Sequence, residues 1–242
     1  MMTLDELNAM DPDALRQAVS GSPERLVAVL RVAAEAGSVE AQLMLGEAAL
    51  DGKGMAADPR EALEWFHKAA QGGDAMAMNM IGRCCEHGKG VAIDKAAAAL
   101  WYKAAADRGL DWGLYNLASL MALGNGVPED RAGALDLFRK AAAMGHAKSI
   151  NIIGNYYEDG WVVDRDMGLA ADHYVRSAEA GDFRGMFNHA RMLLDRGDIA
   201  GAVLWLDRIP ETATPAFMAK ARDWLRTNQP GLSCALVRNS FV

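Results

Sequence analysis

Cys84, Cys85 and His87 place three residues of metal-ligating type within four positions of one another. A closed metal site needs about four such ligands in tetrahedral array, and no second cluster with metal spacing exists elsewhere in the sequence. Cys85 therefore reads as a small apolar core residue. Gly52-Lys53-Gly54 and Gly88-Lys89-Gly90 offer the glycines and lysine of a phosphate-cradling loop. They lack the strand before it and the Ser or Thr after it, so they read as turns. None of the five histidines has a serine, cysteine or acid that spacing alone would place into a nucleophile–base set. His189 reads as a packed histidine, and Arg196-Gly197-Asp198 as a turn between helices. The chain is expected not to be an enzyme, and to need no cofactor and no metal.

The elements that position these residues are set by a period. Leu45-Gly46, Ile81-Gly82, Leu117-Ala118, Ile153-Gly154 and His189-Ala190 follow one another at 36-residue intervals. Gly37, Gly73, Gly109, Gly145 and Gly181 keep the same step, as do Trp65-Phe66, Trp101-Tyr102, Leu137-Phe138 and His173-Tyr174. A fixed period of this length marks a repeat array in which each unit buries its apolar face against the next.

Within a unit, Ala41, Leu45, Gly46 and Ala49 recur at helical spacing, and so do Ala62, Trp65, Phe66, Ala69 and Ala70. Each unit is thus a pair of amphipathic helices, an A helix and a B helix. Paired glycines in Asp51-Gly52-Lys53-Gly54, His87-Gly88-Lys89-Gly90 and Leu123-Gly124-Asn125-Gly126 end the A helix. Asp58, Asp94 and Asp130 then stand where a carboxylate can accept from the free amides of the B helix. In the fourth unit Val162 takes the place of the second glycine, which predicts a distorted turn with Trp161 partly exposed.

A net charge of −7 and a pI near 5.3 speak against nucleic acid and against anionic membrane surfaces as partners. No run approaches the roughly 18 to 20 apolar residues of a membrane span. The acidic start Met1-Met2-Thr3-Leu4-Asp5-Glu6 is unlike a secretory leader, and the cysteines are too few and ill-placed for a disulfide framework. Both point to a cytoplasmic protein.

Residues 75 to 109 carry Ile81-Gly82, Gly88-Lys89-Gly90-Val91, Asp94, Trp101-Tyr102-Lys103-Ala104-Ala105 and Gly109 in a pattern that resembles the Sel-one-like repeat family, relatives of tetratricopeptide repeats. The resemblance implies an all-α fold, a right-handed α/α superhelical solenoid of 36-residue helix-turn-helix repeats. Residues 1–37 are expected to form an N-terminal helical cap and 38–183 four repeats. Residues 184–209 would form a degenerate tetratricopeptide-like hairpin, 210–228 a capping helix and 229–242 a tail.

By the same resemblance the A helices line a concave face. Counting from the Leu-Gly column, the position five before selects Trp112, Lys148 and Arg184, and the position two before selects Tyr115, Asn151 and Phe187. The position two after selects Glu47, Arg83, Asn155 and Arg191, and five after selects Glu86 and Glu158. Aromatics and arginines dominate binding energy in many interfaces, which makes Trp112, Tyr115 and Arg191 the central expectations. Asn116, by contrast, is expected to be structural. The family implies a protein-binding scaffold or adaptor that assembles or regulates a complex. An inhibitor, immunity protein or adaptor of a bacterial secreted toxin is the alternative. The sequence leaves a homodimer open.

Overall fold

The computed structural model describes residues 4–11, 13, 16 and 20–229, and among them every regular element is helical. Of the expected tail, all but Gln229 lies outside the described residues. The described helices are α1 (Leu4–Asn8), α2 (Pro23–Glu35), α3 (Val39–Asp51), α4 (Pro59–Gln71), α5 (Ala75–His87), α6 (Lys95–Asp107), α7 (Asp111–Leu123), α8 (Arg131–Ala143), α9 (Ala147–Asp159), α10 (Met167–Glu179), α11 (Phe183–Asp195), α12 (Ile199–Leu206) and α13 (Pro215–Asn228). A 3-10 turn spans Ile209–Glu211. The helices form two compact units, one ending at Asp130 and the other beginning at Arg131. The A helices of the repeats are α3, α5, α7, α9 and α11.

Side chains mark the helix starts. Asp58, Asp94 and Asp166 cap α4, α6 and α10 by accepting from amides of the first turn. The A helices have a cap column of their own, Ser38, Asp74, Leu110, His146 and Asp182. Leu110 cannot accept, and Asp111 Oδ1 takes the Trp112 amide at 2.7 Å instead. At the next start the His146 ring accepts from the Ser149 amide.

Two glycine columns are dictated by contact. A Cβ on Gly82 would lie 2.6 Å from the Tyr102 ring, and one on Gly154 equally close to Tyr174, so the A helix lies directly on the aromatic of its B helix. The second turn glycine meets the start of the preceding B helix: a Cβ on Gly90 would stand 2.3 Å from the Pro59 carbonyl oxygen.

The fourth turn departs from expectation. It is not distorted: Trp161 N donates to Tyr156 O at 3.0 Å and Asp166 N to Tyr157 O at 2.9 Å, matching Lys89 to Cys84 and Asp94 to Cys85 in the second. These bonds hold Val162 at φ 54°, a left-handed conformation strained for a β-branched residue. Trp161 is 43% exposed, edge-on to Tyr156 and under the Arg131 guanidinium.

The first unit buries Phe66, Tyr102, Ile81, Cys84 and Cys85 in one cluster, with Leu30, Leu45 and Trp65 in another toward the N-terminus. The second buries Phe138 and Tyr174 in the repeats, and Phe183, Met186, Leu206 and Leu225 around α11 to α13.

Candidate protein-binding surface

One register of the B helices is fully buried within each unit, Phe66 and Tyr102 in the first and Phe138 and Tyr174 in the second, and only the tyrosines carry a polar atom. Each hydroxyl meets a carboxylate of its own hairpin. Tyr102 donates to Glu86 Oε2 and Tyr174 to Glu158 Oε2, both at 2.6 Å. In the repeats that carry phenylalanine, the acid's register holds Leu50 and Ala122. Hydroxyl and carboxylate come and go together, so the polar chemistry repeats every second hairpin. Burial, then the bond to the carboxylate, raises both phenols well above the ordinary tyrosine value.

The asparagines alternate in the same way. Asn116 Nδ2 donates to Asn79 Oδ1 at 2.8 Å within the first unit, and Asn188 Nδ2 to Asn151 Oδ1 at 2.9 Å within the second. These bonds tie α5 to α7 and α9 to α11. Asn79 and Asn151 are both 3% exposed, so the pairs are internal struts.

In the second unit the network goes further. Both terminal nitrogens of Arg191 reach Glu158, at 2.8 and 2.5 Å, and Tyr174 also donates to Asn155 Oδ1 at 2.8 Å. Burial alone would raise the Glu158 carboxyl, but the bonds from Arg191 and Tyr174 bring it below its ordinary value. Burial likewise opposes the Arg191 charge, and Glu158 outweighs it, raising the guanidinium further.

These contacts divide the expected concave-face residues. Asn151 is buried, Asn155 accepts from Tyr174, Glu158 and Arg191 are paired, and Phe187 packs edge-on against Phe217 and Trp224 of α13. That half of the expected surface is consumed by the fold, because α11 and α13 reach it with complementary side chains. Arg184 remains exposed, over the Phe183 ring and 3.6 Å from Asp182. Lys148 acts on the same carboxylate electrostatically.

In the first unit the selected residues stay at the surface. Glu47 and Arg83 are exposed, and Glu86 and Tyr115 half-buried. Trp112 is 37% exposed and edge-on to Tyr115, with ring centroids 6.0 Å apart. Glu47 stands at the rim of a cavity of about 390 Å³ lined by Leu26, Val27, Leu30 and Met44. Partial burial and the neighbouring Asp51 raise its carboxyl.

Cys84 and Cys85 face inward. Burial pushes the Cys84 thiol up to about 11 and raises Cys85 as well, the reverse of what a thiolate ligand requires. No trio of His, Cys, Asp or Glu among the described residues is placed to hold a metal ion. His189 packs edge-on against Trp205, its imidazole lowered by burial. No described helix is long and apolar enough to cross a membrane.

A model of the Sel1 repeat matches residues 39–74, 75–110, 113–146 and 147–182. No curated protein matches the chain. Among solved structures, a Sel1 repeat protein from Oxalobacter formigenes is similar over 91% of each chain, with 23% identity and a TM-score of 0.79. A protective antigen of uropathogenic Escherichia coli with an SLR fold is 26% identical over 92% of this chain and 51% of its own, with a TM-score of 0.68. An immunity protein from Pseudomonas aeruginosa shares the fold at 20% identity, over 96% of this chain and 89% of its own, with a TM-score of 0.53.

Proposed function

Because this chain belongs to the Sel1 repeat family, we propose that it is a non-enzymatic scaffold or adaptor that holds a protein segment on its A-helix face and so assembles or regulates a complex. Sel1 repeats generally mediate protein–protein interaction, and the repeats here are an all-α solenoid. The observation that carries the reading is the exposed Trp112 against Tyr115 on α7, with charged Arg83 on neighbouring α5. Large aromatics beside an arginine are the composition of an interface centre. Lys148 and Arg184 offer a second, basic contact in the other unit.

The test is affinity capture from the native cell, comparing the wild type with a Trp112→Ala/Arg83→Glu variant whose helical circular dichroism is intact. A partner held only by the wild type supports the reading. A partner held equally by both removes it from this face.

A second reading is a cytoplasmic inhibitor or immunity protein for a basic toxin, and the net charge of −7 supports it. Rescue of growth against a toxin encoded beside the gene is the expected result; no binding to any neighbouring product overturns it. Self-association through Trp161 would appear as a dimer in sedimentation and vanish in Trp161→Ala.

A further inference from the structure

We propose that Glu86 and Ser119 form a niche that takes an arginine side chain from a protein partner. The inference rests on the scaffold reading and adds the chemistry of one contact.

The argument is an internal comparison. Within the first unit, α5 and α7 are joined by Asn116 to Asn79, and Tyr102 donates to Glu86. Within the second, α9 and α11 are joined by Asn188 to Asn151, and Tyr174 donates to Glu158. The four bonds match in atoms and register, two repeats apart, and fix the two helix pairs in the same arrangement. Over Glu158 lies Arg191 from α11, bonded through both guanidinium nitrogens. The position of Arg191 on α7 is Ser119, whose side chain ends at Oγ and lacks the reach of a guanidinium, and its hydroxyl donates to Tyr115 O at 2.8 Å along its own helix.

Among the described residues no lysine or arginine pairs with Glu86. Its Oε2 receives the Tyr102 hydroxyl, and the imidazole Nε2 of His87 is 4.0 Å from that oxygen. Arg83 points a terminal nitrogen at Met80 Sδ instead, at 3.3 Å. Yet the Glu86 side chain is only 25% exposed, close to the 21% of Glu158 beneath its arginine. A carboxylate withdrawn from water and holding one neutral donor has acceptor capacity to spare. Guanidinium fits it best, because a planar fork makes two parallel charge-assisted bonds where an ammonium supplies a point charge.

The test titrates the full chain with N-acetylarginine N-methylamide and, separately, with its neutral citrulline counterpart, following side-chain and amide NMR signals of Glu86, Tyr102 and Ser119. The arginine compound is expected to shift them saturably, and citrulline to bind at least about tenfold more weakly. Glu86→Gln should abolish the response. Ser119→Arg should abolish it too, while raising the thermal midpoint, and that rise should disappear when Glu86→Gln is added. Equal responses to the two compounds, no response to either, or a Ser119→Arg effect indifferent to Glu86 would each overturn the niche. If such a failure accompanies partner capture that still depends on Trp112, the scaffold reading stands and only the niche falls. A positive titration with no captured partner supports the niche and tells against the scaffold.

Discussion

Glu86 and Glu158 sit at the same register, accept from the same tyrosine hydroxyl, and lie between helices tied by the same asparagine pair, yet only Glu158 carries an arginine. The second unit has closed its polar face on itself. The first has kept the carboxylate and dropped the cation. One position, Ser119 against Arg191, turns an internal ion pair into an open one. In a repeat array, then, a shared fold does not imply a shared surface.

The largest expected effect tests that contrast directly. Arg191→Ala should cost about 3 kcal/mol by leaving Glu158 half-buried without its counter-charge, whereas Ser119→Ala should stay within about 0.5 kcal/mol. Urea unfolding followed by circular dichroism measures both; comparable losses would break the equivalence. Next come the struts. Asn116→Leu should cost about 2 kcal/mol by orphaning buried Asn79, and Asn79→Leu/Asn116→Leu should recover much of it. If the double variant is worse than the sum of the singles, the pair is not an isolated bond. A smaller effect tests the column coupling. Tyr102→Phe should cost about 1 kcal/mol, and adding Glu86→Leu, the combination found at Phe66 and Leu50, should cost less than two separate losses in a double-mutant cycle.

Two carboxyls, one in each unit, should also answer pH with opposite signs. Glu158 is lowered in the fold, so its contribution is full above the ordinary carboxylate range and is lost as pH falls through its folded value. Glu47 is raised, so stability declines as pH climbs through the same range. Urea midpoints against pH should lose the first slope in Arg191→Ala and the second in Glu47→Gln. A gain of similar size belongs to Val162→Gly, which should stabilise by about 1 kcal/mol by relieving a left-handed valine. A lower thermal midpoint would mean that the Val162 side chain is itself a contact.

Much of this architecture was legible in the residues. The period fixes the hairpins, the paired glycines mark the turns, and Asp58 and Asp94 announce the helix starts they cap. Trp112 was legible as a surface aromatic, and Asn116 as a structural amide. The internal contacts of Arg191, Glu158 and Phe187 were not legible, because a register rule says which way a Cβ points but not what comes to meet it. Phe187 meets α13, which lies outside the repeats. Arg191 reaches back a whole hairpin to Glu158. One signal was available: tyrosine and glutamate alternate in step with phenylalanine and an apolar residue, which is the mark of a contact.

The strained turn shows the same limit from the other side. Val162 looked like a broken motif, but backbone bonds at both ends of the turn hold its shape. The A-helix caps escaped notice because Ser38, Asp74, His146 and Asp182 share a role and not a residue type.

The alternation of asparagine and tyrosine–glutamate pairs also sets how this chain can be shortened. Excising one hairpin, residues 111–146, would set Asn79 beside Ile152 and strand a buried amide. Excising two, residues 111–182, would bring Asn188 to Asn79 and Arg191 to Glu86. The smallest length by which the molecule can be cut without mismatching its seams is therefore a pair of hairpins, and the shorter protein would carry its counter-charge already in place.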